Sequence, residues 1–300
     1  MKKKYQPLVS VIINCYNGQS YLQECLESVK FQTYQNWEIV FWDNQSNDES
    51  ADIFKNYNDV RFKYFHATKH TSLYQARNLA IKKASGELIA FIDTDDLWEK
   101  EKLQLQVELF EDPKIDFVYS NLWLIKKNLD KKKKFIQKKL SSGFIYNRLL
   151  DEYNVGIITV IFRKNIIKNL SNIFDERFSI IGDFAFFLHL SKKYYFHYID
   201  VPLAYYRIHD KNLSSVFKEK EMEEINIWIN ENKKNLSLKK IKKIKIKINL
   251  RRLLHFKFNA DYANCYKVLI ESYKSITILK MIIIVITPIF ILRKISWFHN

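Results

Sequence analysis

Glycine and proline are scarce in this chain, at 5 and 4 of 300 residues. That scarcity excludes collagen-like repeats and low-complexity linkers, which are rich in these residues. No two glycines are close enough to form a G-x-G-x-x-G or a G-x-x-x-x-G-K turn. The chain therefore lacks the Rossmann dinucleotide fingerprint and the P-loop, and any nucleotide that it binds is held in another way.

Cysteine is also rare, with only Cys15, Cys25 and Cys265. Their spacing fits neither a zinc site nor a C-x-x-C redox motif, so we interpret them as small buried apolar residues. The first residues are basic, but the apolar run that follows is too short for the core of a signal peptide. These features predict an intracellular, cytoplasmic protein.

Positive charge is abundant. Lysine and arginine number 49 against 33 aspartates and glutamates, which gives a formal net charge of +16. Much of this charge lies in two clusters, at residues 126–139 and 233–252. Such clusters attract anionic lipid head groups or nucleic acid, and they also occur as solvated surfaces. No nucleic-acid recognition motif accompanies them, so we expect no specific nucleic-acid partner.

One long apolar run stands near the end of the sequence. Met281 to Leu292 is twelve residues without a charge, whereas a membrane-spanning helix needs about 20 apolar residues. Lys280 and Arg293-Lys294 flank the run, and Trp297 follows it. We predict that a segment at about 276–298 lies on a membrane surface, with the protein peripheral at the inner face of the plasma membrane. A buried core helix or a subunit contact is the alternative.

The first half of the chain alternates between strand and helix patterns. Apolar, β-branched runs at 8–13, 37–42, 61–66, 88–92 and 116–125 predict strands, with helical spacing between them. This alternation predicts an α/β fold with a mostly parallel sheet between helices. Further strands are predicted at 156–163, 194–199 and 203–208, a helix at 184–193, and a basic helical region from 218 onward.

Acidic residues follow two of the predicted strands. Asp43 ends the second strand, and Asp93-Thr94-Asp95-Asp96 follows the strand at 88–92. Ligands of such sheets bind beyond the carboxyl ends of the strands. Three carboxylates within four residues repel one another unless a cation neutralises them, and oxygen ligands of this kind suit Mg²⁺ or Mn²⁺. A strand-end turn with a helix-capping aspartate is the alternative.

An ordered series of motifs carries a family resemblance. The segments are Val9 to Asn17, Trp37 to Asp48, Ala76 to Asn78 and Ser85 to Trp98, the last of which reads S-G-E-L-I-A-F-I-D-T-D-D-L-W. Together they resemble the family-2 glycosyltransferases, which have a GT-A fold and transfer sugars from nucleotide-diphospho-sugars with inversion. The resemblance is strong over residues 8 to about 125 and thinner to about 215.

The resemblance implies a domain organisation. A GT-A domain would occupy residues 1–215, with a nucleotide-sugar half at about 1–125 and an acceptor half at about 126–215. A basic helical region would occupy residues 216–300.

The resemblance also implies a nucleotide site. Tyr16 and Asn17 would line the base pocket, with Tyr16 stacking on uracil or another base. Asp43 would accept a hydrogen bond from the base, and Arg77 would lie near the diphosphate. On its own, without the resemblance, Tyr16 would be interpreted as a core residue. The preference for UDP over GDP or dTDP rests on Tyr16 and Asp43.

The same resemblance implies catalytic and metal-binding residues. Asp93 and Asp95 form the D-x-D motif, which touches the ribose and a divalent metal (Mn²⁺ or Mg²⁺), and Asp96 lies beside them at the nucleotide sugar. Asp183 matches the catalytic base, although an aspartate there could also be a helix N-cap. His209 matches a histidine that approaches the metal or the diphosphate in some members, and a structural role is the alternative.

Some positions depart from the family pattern. Asn44-Gln45-Ser46 replaces the common Asp-Gly-Ser, and Leu79 replaces a frequent glycine. Gly182 stands where a glutamate often precedes the base. The first two departures concern loop geometry, whereas Gly182 counts against Asp183 as the base and is consistent with a different acceptor.

The sequence thus predicts a metal-dependent inverting glycosyltransferase. Its acceptor would be a surface polysaccharide, a lipooligosaccharide or a lipid-linked glycan, met at an anionic membrane surface. Two alternatives come from other classes. One is a non-catalytic nucleotide- or glycan-binding scaffold of a glycan-assembly complex, and the other is a basic nucleic-acid-binding module.

Overall fold

The chain forms two compact units, residues 1–208 and residues 209–300. The computed structural model describes residues 5–126, 132–170, 172–210, 212, 218–272 and 278–295. The predicted boundary near residue 215 lies outside these residues. The predicted division near residue 125 stays a prediction. One sheet of the first unit includes strands from both sides of this position.

A single mixed sheet forms the centre of the first unit. Its strands run in the order β3-β2-β1-β4-β8-β6-β9-β5, and β7 pairs with β6. The strands are β1 Val9–Cys15, β2 Trp37–Asp43, β3 Phe62–His66, β4 Leu88–Phe91, β5 Leu97–Trp98, β6 Phe117–Ile125, β7 Lys132–Lys134, β8 Ile161–Arg163 and β9 Phe196–Arg207.

Six α-helices belong to the described part of the first unit. They are α1 Gln19–Lys30, α2 Ser50–Lys55, α3 Leu73–Ile81, α4 Lys102–Val107, α5 Tyr146–Asp151 and α6 Gly182–Ser191. Every residue of β2 and β4 is buried, and so is nearly every residue of β1. This accounts for their continuous apolar runs, because strands of a sheet that is covered on both faces do not alternate.

The predicted parallel order holds from β3 through β4, whereas the second half of the sheet is mixed. β8 is antiparallel to both β4 and β6. The strand predicted at 156–163 begins as a 3-10 helix, Ile157–Thr159, and only its end is a strand. The two strands predicted at 194–208 are one strand, β9, with an irregular register where Pro202 lies opposite Asn121. Proline cannot donate to the ladder, so it is tolerated at such an irregularity.

A buried carboxylate joins the first strands. Glu38 of β2 accepts hydrogen bonds from the Ser10 hydroxyl of β1 and from the Ser85 backbone N–H, both at 2.6 Å. It also pairs with Lys63 of β3. Burial alone would raise the pKa of Glu38, but Lys63 and Ser10 hold this pKa below its ordinary value. One side chain thus connects three strands and the turn before β4.

The second unit is helical, as the sequence predicts. Its described helices are α7 Lys218–Asn232, α8 Leu238–Phe258, α9 Tyr262–Glu271, α10 Ile278–Ile286 and α11 Ile289–Ile295. Five buried side chains form an apolar core between α8, α9 and α10, namely Leu253, Phe256, Cys265, Val268 and Met281. Within the described ranges, none of the helices has the length and apolar character to cross a membrane.

Two cations of the second unit are structural. Arg252 of α8 is buried and forms ion pairs with Glu219 of α7 and Glu271 of α9, at 2.7 and 2.6 Å. Lys257, also buried, donates from Nζ to the Val285 carbonyl of α10 at 2.6 Å. These cations stabilise the packing of the helices and are not part of a basic surface.

We expect Gly86→Ala to destabilise the first unit. A Cβ at Gly86 would lie 2.5 Å from the Leu8 carbonyl oxygen and 2.7 Å from the Ser10 backbone nitrogen. Backbone atoms of this kind cannot rotate away, so we expect the free energy of unfolding to fall by about 1–3 kcal/mol. Urea unfolding measures the change. Gly156→Ala is the matched control, because its nearest new neighbour is the flexible Leu122 side chain, and an equal loss in both variants would contradict this account.

Candidate active site

The candidate site lies where β1, β2 and β4 end at the same edge of the sheet. Residues 16–18 follow β1, Asp43 ends β2, and the D-T-D-D turn follows β4. The first and last of these segments are in close contact, since a Cβ at Gly18 would lie 2.9 Å from Thr94 Oγ1. The topology therefore brings the predicted nucleotide residues and the D-x-D motif to one edge, as expected for parallel strands.

Tyr16 presents an aromatic side chain at this edge. It is 55% exposed, and its ring centroid lies 4.4 Å from that of His70, at an interplanar angle of 55°. The Nδ1 atom of His70 lies 2.9 Å from the Asn44 carbonyl oxygen. The sequence analysis missed His70, because no motif marks it and it follows a different strand. Tyr16 is therefore not a core residue, and its ring and that of His70 have the character of a stacking surface.

Asn17 shapes the loop after β1. It adopts a positive φ of 54°, a conformation that asparagine tolerates better than most residues. Its Oδ1 accepts from the Asn47 backbone N–H at 2.9 Å, and its own N–H donates to Ser46 Oγ at 3.1 Å. Asn17 is therefore an exposed residue that joins the loops after β1 and β2, and its contact with a base stays a prediction.

Asp43 is buried and holds the turn that follows β2. Its Oδ1 accepts from the Ser46 backbone N–H at 2.8 Å, and its Oδ2 accepts from the Tyr64 hydroxyl at 2.6 Å. Burial, together with the hydrogen bond to Asp43, raises the pKa of Tyr64 well above its ordinary value. Both oxygens of Asp43 have protein partners, and its hydrogen bond to a base stays a prediction.

Arg77 of α3 is paired with the D-x-D motif. Its guanidinium is buried and lies 2.5 Å from Asp93 Oδ1. Burial alone would lower the pKa of Arg77, but the nearby Asp93, Tyr74 and Asp183 raise it. The structure therefore brings Arg77 to Asp93, and Arg77 is the positive partner of Asp93.

Asp95 and Asp96 have different environments. Asp95 is partly exposed, and its carbonyl oxygen accepts from Arg207 Nε at 3.0 Å. Asp96 is only 1% exposed, and its Oδ1 accepts from the Arg207 backbone N–H at 2.8 Å. Burial raises the pKa of Asp96 well above its ordinary value, and the neighbouring Asp95 and Asp93 raise it further.

The prediction that Asp96 contacts the nucleotide sugar stays a prediction. The described contact of Asp96 is structural, because its Oδ1 holds the end of β9 against the D-T-D-D turn. The sequence could not separate Asp95 from Asp96, because adjacent carboxylates look equivalent until the turn sets their directions.

Asp183 lies in the first turn of α6, which begins at Gly182 rather than at the predicted residue 184. Its Oδ1 accepts from the Phe184 backbone N–H at 2.8 Å and from the Tyr74 hydroxyl at 3.1 Å. Its Oδ2 accepts from the Tyr153 hydroxyl at 3.1 Å. Ile181 occupies the N-cap position, so Asp183 is not the capping residue of this helix.

The Asp183 carboxyl has a raised pKa. Burial raises this pKa, while Arg77 and the hydrogen bonds from Phe184, Tyr153 and Tyr74 oppose the rise. A base needs a pKa nearer to the working pH than that of an ordinary aspartate. The environment of Asp183 is therefore compatible with proton transfer from a hydroxyl.

His209 belongs to the second unit. Its backbone N–H donates to Asn212 Oδ1 at 2.7 Å. The prediction that its side chain binds a metal or a diphosphate stays a prediction.

The donor set fits a divalent metal that takes most of its ligands from the substrate. In the described part of the chain, no three histidine, cysteine or acidic side chains form a metal-binding group. Mg²⁺ and similar ions commonly use one or two protein carboxylates and complete their shell with water and substrate phosphates. Asp95 is partly exposed, and its role as a metal ligand stays a prediction.

Comparison with known proteins establishes the family. The family model "Glycosyl transferase family 2" matches residues 10–177, which is more than half of the chain. The chain therefore belongs to glycosyl transferase family 2, and the predicted resemblance is confirmed.

Two Escherichia coli relatives, WfgD and WfaP, are both described as UDP-Glc:alpha-D-GlcNAc-diphosphoundecaprenol beta-1,3-glucosyltransferases. WfgD is 33% identical over 164 residues, which cover 55% of this chain and 63% of WfgD. WfaP is 32% identical over 217 residues, which cover 71% of this chain and 82% of WfaP. The chain thus spans slightly less than two thirds of the first relative and more of the second.

Solved structures confirm the predicted GT-A-type fold. Staphylococcus aureus TarS 1–349 in complex with UDP-GlcNAc has a TM-score of 0.61 at 20% identity, covering 89% of this chain and 91% of TarS 1–349. The mannosyltransferase PcManGT from Pyrobaculum calidifontis, in complex with GDP-Man and Mn²⁺, has a TM-score of 0.58 at 16% identity, covering 90% and 76%.

We expect Asp183→Asn to remove a pH-dependent cost to stability. The folded carboxyl holds its proton more tightly than the unfolded one, whose ordinary pKa is 3.8. The contribution of Asp183 to the free energy of unfolding therefore falls as the pH rises from that value through the raised pKa. At pH 7.5 the variant should be at least as stable as the wild type. At pH 3.5 the stability of the variant relative to the wild type should be lower than at pH 7.5. Urea unfolding at both pH values provides the measurement, and a variant that is markedly less stable at pH 7.5 would contradict the assignment.

Proposed function

We propose that this chain transfers a sugar from a nucleotide-diphospho-sugar, with UDP as the preferred nucleotide, to a hydroxyl of a glycan acceptor. The transfer inverts the anomeric configuration. One observation carries the proposal. The buried guanidinium of Arg77 is paired with Asp93 of the D-x-D motif and is electrostatically coupled to Asp183. A candidate base and the donor-binding motif are thus linked by one cation.

The donor end of the reaction uses the residues at the sheet edge. Tyr16 stacks on the base, Asn17 and Asp43 line the base pocket, and Asp95 holds a divalent metal, Mn²⁺ or Mg²⁺. When bound, such a metal neutralises the charge that develops on the departing diphosphate. Arg77 keeps Asp93 in position beside the ribose. The names of the two E. coli relatives specify UDP-Glc, which supports the choice of UDP.

The acceptor end of the reaction uses Asp183. Its carboxylate takes the proton of the acceptor hydroxyl while that oxygen bonds to the anomeric carbon from the side opposite the diphosphate. The bond from carbon to the diphosphate oxygen breaks with its electron pair, and the nucleoside diphosphate leaves. Base assistance of this kind contributes about 10²–10⁴-fold to the rate. The raised pKa of Asp183 supports this role.

The acceptor is a lipid-linked glycan or a related surface polysaccharide or lipooligosaccharide. Both E. coli relatives are named for transfer to a GlcNAc-diphosphoundecaprenol, which is a sugar on a lipid diphosphate. Such an acceptor stays at the membrane. We therefore also propose that the protein works as a peripheral protein at the cytoplasmic face.

The described helices α10 and α11 support a membrane contact. Their exposed apolar side chains recur at helical spacing, with Leu279 72%, Ile283 57%, Ile286 71% and Phe290 66% exposed. Lys280 beside them is exposed, and its stem can follow the apolar surface while its charge stays in water. Short helices with one apolar face and neighbouring cations are typical of segments that lie in a membrane interface.

Basic side chains of α8 add to this support. Four exposed lysines lie in its first half, namely Lys239, Lys242, Lys243 and Lys245. Each cation near an anionic membrane surface contributes about 1 kcal/mol to binding. Arg252 does not contribute, because it is buried between two glutamates.

We expect Asp183→Asn and Asp95→Asn to impair the enzyme at different steps. Asp183→Asn should lower turnover of UDP-Glc or UDP-GlcNAc with a GlcNAc-diphospholipid by about 10²–10⁴-fold and leave UDP binding unchanged. Asp95→Asn should lower turnover and also remove the dependence on metal of the thermal stabilisation by UDP. The measurements are released UDP and melting temperatures with UDP and Mn²⁺, Mg²⁺ or EDTA.

Asp112→Asn, an exposed aspartate outside the site, serves as the control and should behave as the wild type. Full turnover in Asp183→Asn would refute its role as base. Metal-dependent binding of UDP without any turnover of donor would favour a non-catalytic scaffold.

We expect binding to vesicles to depend on α10. The wild type should co-sediment with vesicles of phosphatidylglycerol and phosphatidylcholine, and less with phosphatidylcholine alone. The double variant Ile283→Glu/Ile286→Glu should bind at least about tenfold more weakly, because two apolar side chains no longer enter the interface. Val60→Glu, at a position that is 94% exposed in the first unit, is the matched control. Undiminished binding of the double variant would show that charge alone carries the association.

A further inference from the structure

Two tyrosine hydroxyls converge on the Asp183 carboxylate, and neither belongs to a motif that the sequence analysis used. Tyr74 comes from α3 and donates to Oδ1, and Tyr153 follows α5 and donates to Oδ2, both at 3.1 Å. With the Phe184 N–H on Oδ1, each oxygen of the carboxylate is held from a separate segment of the first unit.

Gly182 makes the approach of Tyr74 possible. A Cβ at Gly182 would lie 2.6 Å from Cγ, Cδ2 and Cε2 of the Tyr74 ring, a separation that no side chain tolerates. The ring therefore lies directly against the backbone that begins α6. The departure at position 182, where a glutamate is common in the family, is explained by the space that this ring occupies.

We propose that Tyr74 and Tyr153 are positioning residues that orient the Asp183 carboxylate and stabilise its ionised form. This inference rests on the proposed role of Asp183 as the base. A carboxylate that accepts hydrogen bonds is favoured over the protonated acid. Without the two hydroxyls, burial would keep Asp183 protonated to a higher pH, and a protonated carboxyl cannot accept a proton from the acceptor.

Both tyrosines remain donors under working conditions. Burial raises the pKa of each phenol well above its ordinary value, and the Asp183 charge raises it further. Arg77 is the cation that acts on Asp183, and it favours the same ionised form. The groups that act on Asp183 from α3 and from the segment after α5 are thus two hydroxyls and one guanidinium.

The two tyrosine hydroxyls should affect the pKa of Asp183 to different extents. The single proton of the Tyr74 hydroxyl is shared between Asp183 and the Ile180 carbonyl, which lies 3.0 Å away. For the Tyr153 hydroxyl, the one acceptor among the described hydrogen bonds is Asp183. Removal of the Tyr153 hydroxyl should therefore change the pKa of Asp183 more than removal of the Tyr74 hydroxyl.

The test measures the pKa of Asp183 without reference to turnover. Protein labelled with ¹³C at the aspartate carboxyl carbons is titrated by NMR, and the signal that Asp183→Asn lacks is assigned to Asp183. We expect Tyr153→Phe to raise this pKa by about one unit, since hydrogen bonds to a charged group are of that strength. Tyr74→Phe should raise it by less, and the double variant by more than either.

Tyr146→Phe is the matched control. The Tyr146 hydroxyl is buried and has no hydrogen-bond partner among the described residues, so its removal should leave the Asp183 signal unchanged. An Asp183 pKa that changes by less than about 0.2 units in both Tyr153→Phe and Tyr74→Phe would overturn the inference.

A kinetic measurement links the inference to the reaction. The acidic limb of the kcat/KM profile should move to higher pH in Tyr153→Phe by the same amount as the NMR pKa, with little change on the alkaline plateau. If Asp183→Asn retains full turnover, the proposed base is wrong, regardless of the results with the tyrosine variants. If Asp183→Asn is inactive and the limb of Tyr153→Phe does not move, only the present inference fails.

Discussion

A buried cation between carboxylates is the constraint on which the candidate site depends. Arg77 is 3% exposed and lies 2.5 Å from Asp93. A buried guanidinium is tolerated only when anionic partners compensate for its lost hydration. Asp93 follows β4 and Asp183 lies at the start of α6, so two distant parts of the sequence act on one cation. Moving Asp93 away would leave the buried guanidinium without its ion-pair partner, and the fold of the first unit thereby keeps α3 against the D-T-D-D turn.

The same reasoning explains how three carboxylates can occupy one turn. Asp93 is paired with Arg77, and the backbone N–H of Arg207 donates to Asp96, whose burial favours the protonated form. Repulsion within the turn is therefore reduced by the protein itself. The proposed metal would be held by Asp95 together with the phosphates of a substrate, which is consistent with a metal that binds together with its ligand.

Periodicity and motif order were sufficient to predict the parallel half of the sheet and the edge at which Tyr16 and Asp93 lie. They could not predict the direction in which individual side chains point. Asp95 and Asp96 are neighbours in sequence, yet the turn leaves Asp95 partly exposed and buries Asp96. Tyr74 and Tyr153 are 109 and 30 residues from Asp183, so no local pattern could connect them to it. Such contacts exist only after α3 and α6 have packed against each other.

The second unit buries a charged side chain, that of Arg252, and leaves the apolar side chains of Leu279 and Ile286 exposed. Helices as short as α10 and α11 are marginal in water when they stand alone. Met281 is fully buried in the core of the unit, and Lys257 donates to a carbonyl near the end of α10. The apolar face is therefore held by packing beneath it and is already formed before any contact. A membrane that binds such a face does not have to order it first, so most of the apolar area contributes directly to binding.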